Sequence, residues 1–86
     1  MPTVLFIQGW RLFFYMNEGS EPLHIHARKA EAECKFWLYS DRFEIEEAFE
    51  YNLTPPLRRE VRRIVYAHLD EICEAWRECF GGGYAN

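Results

Sequence analysis

Leu23-His24-Ile25-His26-Ala27-Arg28 alternates apolar and polar residues at every step. Because successive side chains of a strand point to opposite faces, the odd-numbered positions are predicted to face a core, and both histidines the opposite side. The run Glu31–Tyr39 alternates in the same way and is predicted to bury every second side chain. The two runs therefore predict strands of an antiparallel sheet.

Further strands are predicted on either side of this pair. Val4–Ile7 and Arg11–Met16 flank Gly9, and two β-rich runs joined by a tight turn are typical of a hairpin. Asp41–Tyr51 is ambiguous, because part of it alternates like a strand while its glutamate-rich half could form a helical turn. We interpret it as a short fifth strand, which gives four to five strands within residues 3–47.

The last third of the sequence has the periodicity of a helix. Thr54 is a good N-cap, and Pro55 occupies the favoured first helical position. Apolar residues then recur at helical spacing until Gly81-Gly82-Gly83, and no proline or glycine interrupts them. One long helix is therefore predicted over about residues 55–80, and a bend near Ala67-His68 is possible although no residue forces one. The chain is expected to form a single α+β domain over residues 1–86, with a small antiparallel sheet of four to five strands packed against this helix.

The composition limits the classes of protein that fit this sequence. The 86 residues are 49% hydrophobic and 17% aromatic, which suits one compact core and argues against disorder. The formal net charge is −4, so nucleic-acid binding would need a local basic patch. Three cysteines without metal-site spacing predict free thiols in a reducing cytoplasm. No apolar run is long enough to span a bilayer and no cleavable leader precedes the first strand, so we expect neither membrane insertion nor secretion.

Two histidines and two carboxylates surround the turn that precedes the alternating strand. The candidate catalytic residues are Glu18, Glu21, His24 and His26. Because His24 and His26 point the same way, they could bind a divalent metal, the one cofactor that these residues suggest, with a carboxylate as third ligand and a position left for water. The same groups could transfer a proton or hold an anion, or only form hydrogen bonds across the sheet. We expect His68 to lie beside the buried stripe of the helix and outside this site.

Four arginines occupy the first two turns of the predicted helix: Arg58, Arg59, Arg62 and Arg63. Cations at a helix N-terminus oppose the helix dipole, which costs a few tenths of a kcal/mol to about 1 kcal/mol each. A compensating partner is therefore expected, since guanidinium groups bind phosphate or the carboxylates of an acidic protein through paired hydrogen bonds. The alternatives are ion pairs with the glutamates of residues 44–50, or a solvated face.

The stretch Phe13–His26 resembles the core signature of the bacterial family known as domain of unknown function 4160. The resemblance continues downstream in Ala32–Leu38, Leu57–Glu60, Ala75-Trp76 and Phe80-Gly81, and thus extends over nearly the whole chain. Two positions depart from the family pattern: Leu23 stands where a second proline is usual, and Ala27 where valine is usual. Losing a proline loosens the entry to the strand slightly, which concerns the exact orientation of His24 more than its presence.

The resemblance implies a function only indirectly. Members of the family look like products of small bacterial operons that often encode another short protein, which suggests a partner-binding component of a toxin–antitoxin-like two-gene module. The arginines and an exposed strand would then be the contact surfaces for a small protein partner. Exposed sheet edges and many aromatic residues also suggest a homodimer. The alternative is a metal-assisted or general acid–base hydrolase that acts on a phosphodiester through Glu18, Glu21, His24 and His26.

Overall fold

The computed structural model describes residues 3–81 and has an α+β fold. In chain order its elements are β1 (Thr3–Ile7), β2 (Trp10–Phe13), a 3-10 helix (Met16–Glu18), β3 (His24–Lys29), β4 (Ala32–Tyr39), β5 (Glu44–Tyr51), α1 (Pro55–Ala67) and α2 (Leu69–Phe80). The strands form one antiparallel sheet in the order β1-β2-β3-β4-β5. The predicted sheet, including its fifth strand, is confirmed. The predicted domain also includes residues 1, 2 and 82–86, which lie outside the described residues.

Strand β5 is longer than predicted. The expectation that all strands lie within residues 3–47 is wrong, because β5 continues to Tyr51. Its backbone pairs with β4 from Glu44 opposite Tyr39 to Tyr51 opposite Glu33, with one irregularity at Ala48, which has no residue opposite it. Pairing with β4 therefore outweighs the helical preference of the glutamates in this segment.

One face of the sheet packs against both helices. Strand alternation is confirmed here, because the predicted core positions of β3 and β4 are buried: Ile25, Ala27, Cys34, Phe36 and Leu38. The helices contribute the buried residues Val61, Ile64 and Val65 of α1 and Leu69, Ile72, Cys73 and Trp76 of α2. All three cysteines are free, as predicted, and Cys79 is only half-buried.

The single long helix predicted over residues 55–80 is wrong, because the chain forms two helices that meet at His68. The backbone of His68 has φ −117° and ψ 20°, and its N–H contacts the carbonyls of both Ile64 and Val65. An unbroken helix over these positions would be about 39 Å long at about 1.5 Å per residue. The described residues span only 34 Å in their longest dimension. The break therefore allows both apolar stripes to lie on the sheet.

The predicted ends of the helical region are confirmed. Thr54 Oγ1 accepts a hydrogen bond from the backbone N–H of Leu57, and Pro55 is the first residue of α1. Gly81 follows α2 with a φ of 78°, in the left-handed region that glycine tolerates best. His68 itself is half-buried, and its Nδ1 is 2.8 Å from Glu71 Oε1. Within residues 3–81, no helix is long and apolar enough to cross a membrane.

A carboxylate of α1 connects the helix layer to the sheet. Glu60 Oε1 accepts hydrogen bonds from Trp10 Nε1 at 2.7 Å and from Lys29 Nζ at 2.8 Å. Trp10 is fully buried, so this bond pairs an indole N–H that has no access to water. Trp76 is also fully buried, but its Nε1 has no hydrogen-bond partner among the described residues.

The opposite face of the sheet carries the histidines and several exposed rings. Pairing across the strands places His26 beside Phe13 on β2 and Lys35 on β4. Further out, the rings of Phe6, Phe49 and Tyr51 are exposed on the edge strands β1 and β5. Glu18, in the connection between β2 and β3, lies against both histidines. His24 and His26 are buried, and His24 also contacts Trp76 of α2.

Candidate functional site

The connection between β2 and β3 positions the carboxylate of the site. The N–H of Glu18 donates to the carbonyl of Tyr15 at 3.1 Å, and the N–H of Glu21 donates to the carbonyl of Glu18 at 3.0 Å. These bonds close two consecutive turns. Gly19 packs so closely on α2 that an added Cβ would lie 2.6 Å from Phe80 Cδ1. The turns and this contact hold Glu18 against the beginning of β3.

Glu18, His24 and His26 converge on one point. Nε2 of His24 and Nε2 of His26 each lie 2.8 Å from the same carboxylate oxygen, Glu18 Oε1. The three ligand atoms all lie within 4.8 Å of one another. His24 Nδ1 lies 2.9 Å from the backbone oxygen of Pro22. Because a carbonyl oxygen only accepts, His24 Nδ1 is the donor of that bond, and Nε2 is the nitrogen that faces the carboxylate.

Aromatic neighbours fix the orientation of both imidazole rings. The ring of His26 stacks on Phe13 with a centroid distance of 5.4 Å and an angle of 18°. His24 contacts the indole of Trp37 at 5.5 Å and that of Trp76 at 5.0 Å. The site is therefore packed by side chains from the sheet and from α2, so its geometry is supported by the fold as a whole.

Burial and hydrogen bonding shift the pKa values of two site residues. Burial raises the pKa of Glu18, but the hydrogen bonds with His24 and His26 outweigh it, and the net pKa lies below the usual 4.5. Burial lowers the pKa of His26 below the usual 6.5, and the neighbouring Glu18 carboxylate opposes this only in part. An ionised carboxylate beside a neutral imidazole is the combination that binds a metal cation. His26 Nδ1 is buried with no hydrogen-bond partner within residues 3–81, so no neighbouring group fixes its tautomer.

Glu21, the fourth predicted site residue, lies next to this cluster and is engaged elsewhere. Its Oε1 is 2.8 Å from Lys35 Nζ and 3.9 Å from His24 Nδ1. The ammonium group of Lys35 also lies 4.3 Å from the centroid of the Trp37 ring. The structure thus brings three of the four predicted residues together and pairs the fourth with a lysine.

Sequence reasoning missed Lys35 and Trp76 as neighbours of the site. Lys35 alternates onto the histidine face of β4 and lies opposite His26, so aligning the two predicted strands could have identified it. Trp76 could not be found in this way, because its contact with His24 depends on the break between the helices.

The arginines lie on α1, which packs on the opposite face of the sheet from His26. Arg58 forms ion pairs with Glu47 at 3.2 Å and Glu50 at 3.0 Å, as the intramolecular alternative predicts. Arg59 and Arg63 are exposed, and the half-buried Arg62 lies 6.0 Å from the ring centroid of Tyr66. The described contacts do not connect these arginines to the His/Glu cluster.

The cluster can bind a cation or share a proton, but it leaves little access for a substrate. His24 has no exposed surface and His26 is 3% exposed, whereas the side chain of Glu18 is 16% exposed. No cavity or cleft forms in the part of the chain that the structure describes. Among the residues that the structure describes, Glu18 is therefore the member of the cluster that a substrate could reach most directly.

Comparison with known proteins identifies a family for this chain. The family model described as Domain of unknown function (DUF4160) matches residues 9–77. No curated protein and no solved structure matches the chain. The matched region begins before β2 and ends within α2, so it includes the His/Glu cluster and the arginines. The chain belongs to the domain of unknown function 4160 family, as its signature residues predict.

Proposed function

We propose that this chain is a partner-binding protein that binds a second, small protein along the edge of its sheet at β5. The observation that carries this proposal is the exposure of β5. The strand pairs with β4 on one side, and six of its eight residues are exposed. The exceptions are Ile45, which is buried, and Glu47, which is half-buried. The outer side of an edge strand offers unpaired backbone N–H and C=O groups to which a strand of another protein can add.

Exposed rings beside this edge favour a protein partner. Phe49 and Tyr51 are 44% and 69% exposed on β5. Aromatic side chains bury much surface at a small entropic cost, and they are enriched in the centres of protein interfaces. A partner strand added to β5 would cover these two rings.

The arginine-rich turn of α1 lies next to the same edge. The ion pairs of Arg58 with Glu47 and Glu50 connect this turn to β5. Arg59 and Arg63 form no ion pair within residues 3–81, so their guanidinium groups are available to acidic side chains of a partner. The two contact surfaces expected from the sequence, an exposed strand and the arginines, would therefore form one continuous surface.

The family resemblance suggests which protein to test as the partner. We propose the short protein encoded beside members of this family, which would make the pair a toxin–antitoxin-like two-gene module. The free thiols favour a reducing compartment such as the cytoplasm for this association.

Calorimetric titration of the purified chain with the neighbouring gene product tests this proposal. Tyr51→Ala combined with Arg59→Glu and Arg63→Glu is expected to weaken association at least tenfold. The matched controls are Phe6→Ala, which removes an exposed ring from the opposite edge strand, and Arg77→Glu, which reverses an exposed arginine on α2. Equal weakening by the controls, or no effect of the triple substitution, contradicts the proposal. If sedimentation shows that the triple substitution only separates a homodimer, the occupant of the edge is a second copy of the chain.

The alternative function is hydrolysis of a phosphodiester, and the convergence of Glu18, His24 and His26 favours it. In this function Glu18 would accept a proton from the attacking water, because it is the member of the cluster nearest to solvent. Tag-free protein is assayed with bis(p-nitrophenyl) phosphate, with and without Zn²⁺ or Mn²⁺. Loss of hydrolysis in Glu18→Gln but not in Glu21→Gln supports a hydrolase. Absence of hydrolysis by the wild type under all these conditions rejects it.

A further inference from the structure

The hydrogen bond of His24 to Pro22 leaves Nε2 without a proton when the ring is neutral. In a neutral His24, the proton lies on Nδ1 and is donated to the Pro22 carbonyl, so Nε2 carries a lone pair. That lone pair faces Glu18 Oε1 at 2.8 Å, and two acceptors at this distance repel each other. A proton or a metal cation between the two atoms removes the repulsion.

The second imidazole brings another nitrogen to the same oxygen. His26 Nε2 lies 2.8 Å from Glu18 Oε1, and the two imidazole centroids are 5.2 Å apart. A proton could satisfy the contact at His24 alone, but it would place a charge on a ring that has no exposed surface. One divalent cation would instead satisfy the carboxylate and both nitrogen lone pairs.

The distances within the cluster are close to those of a metal site. Zn²⁺ and similar ions bind imidazole nitrogen and carboxylate oxygen at about 2.0–2.2 Å. Two neighbouring ligand atoms are then about 2.9 Å apart in an octahedral site and about 3.3 Å apart in a tetrahedral site. The two N–O separations here are 2.8 Å each. Binding would therefore lengthen the two N–O separations by about 0.1–0.5 Å, and it would also bring the two Nε2 atoms, which lie within 4.8 Å of each other, to a similar separation.

We propose that Glu18 Oε1, His24 Nε2 and His26 Nε2 bind one divalent first-row transition-metal ion, with Zn²⁺ as the first ion to test. Two imidazoles and one carboxylate suit these metals, whereas Mg²⁺ and Ca²⁺ prefer oxygen ligands alone. The Pro22 carbonyl orients His24 in the way that outer hydrogen-bond partners orient metal-bound histidines. Three protein ligands leave at least one position for water, which can enter beside Glu18.

The ion would join the segment between β2 and β3, which contains Glu18, to strand β3, which contains both histidines. The unfolded chain has no preformed site, so binding is expected to stabilise the folded state. This proposal goes beyond partner binding and does not depend on it, since no residue of β5 contributes a ligand.

Calorimetric titration of tag-free, chelator-treated protein with ZnCl₂ tests the site. The wild type is expected to bind one ion per chain and to unfold at a higher temperature when the ion is present. Glu18→Gln, which keeps the size of the side chain and removes its charge, is expected to weaken binding at least tenfold. The matched controls Glu21→Gln and His68→Gln alter the neighbouring carboxylate and a half-buried histidine outside the cluster, and both should change affinity less than twofold.

Nitrogen-15 spectra of the wild-type imidazoles provide a readout that does not rely on a variant folding. Zn²⁺ should shift the Nε2 resonances of His24 and His26 and leave those of His68 unchanged. The proposal is overturned if the folded wild type binds no stoichiometric Zn²⁺. It is also overturned if the His24 and His26 resonances do not respond, or if His68→Gln weakens binding as much as Glu18→Gln does.

Discussion

Replacing Trp76 by phenylalanine is expected to lower the free energy of unfolding by less than about 1 kcal/mol, whereas the same change at Trp10 should lower it by about 2–3 kcal/mol. Both indoles are fully buried, so burial alone predicts equal losses. They differ in hydrogen bonding: Trp10 Nε1 donates at 2.7 Å to Glu60, and Trp76 Nε1 has no partner within residues 3–81.

The expected values follow from the atoms that each change removes. Each substitution deletes two buried ring carbons, worth about 1.6 kcal/mol together. At Trp10 the change also removes the hydrogen bond of a buried donor, which adds about 0.5–1.5 kcal/mol. At Trp76 the change removes a buried N–H without a partner, which regains about 1–3 kcal/mol and offsets the lost packing. Both variants keep an aromatic ring, so neither should rearrange the core.

Urea unfolding followed by far-ultraviolet circular dichroism measures both variants against the wild type. The comparison uses transition midpoints at a common slope, because the slope reports the surface exposed on unfolding. Trp10→Phe should shift the midpoint clearly and Trp76→Phe only slightly. A loss at Trp76 as large as that at Trp10 would refute the reasoning, since it would mean that the Trp76 indole N–H is satisfied in the folded protein.

Three further predictions concern the backbone of Ala30, the reactivity of Cys34 and the stability of the protein in acid. Ala30, between β3 and β4, has a φ of 53°, which glycine adopts at lower cost than alanine. Ala30→Gly should therefore raise the free energy of unfolding by about 0.5–1 kcal/mol in the same urea titration. A destabilised variant would contradict this. Burial raises the pKa of the Cys34 thiol to about 12, so iodoacetamide at pH 8 should label the half-buried Cys79 first and leave Cys34 unmodified until the protein unfolds, as peptide mass spectrometry would show. Acid should destabilise the metal-free protein, because the folded state lowers the pKa of both His26 and Glu18. The contribution of His26 to the free energy of unfolding is fully present above its unfolded pKa of 6.5, and it is lost as the pH falls through its folded pKa. The contribution of Glu18 is lost in the same direction, below its unfolded pKa of 4.5. Thermal unfolding from pH 8 to pH 4 should show this decline, with a shallower decline for His26→Gln; a stability that rises on acidification would exclude the assignment.

The sheet could be predicted from the sequence because strand alternation is a local signal. The period of two assigned Ile25 and Phe36 to the core, and the same period placed both histidines together on the opposite face. The ends of the helical region were equally local, since Thr54 and Gly81 mark them by their own backbone and side-chain preferences.

The sequence allows a bend near His68 without requiring one, and it does not choose between the two carboxylates, because both outcomes depend on the assembled fold. No proline or glycine marks the break, whereas the two apolar stripes that it divides share one core in the folded chain. Glu18 and Glu21 are chemically identical in the sequence. The turn that begins at Tyr15 directs Glu18 toward the histidines, whereas Lys35, on a distant strand, pairs with Glu21.

The order of the strands has a consequence for the kinetics of folding. Because each strand pairs with its neighbour in the chain, the sheet can grow one hairpin at a time without closing long loops, which favours rapid folding. Glu18 lies only six and eight positions before His24 and His26, so all three residues belong to the single hairpin of β2 and β3. During synthesis this hairpin leaves the ribosome before α1 and α2. The three cluster residues are therefore close to one another early, whereas the contacts of Trp76 and Phe80 that complete their packing have to wait for α2.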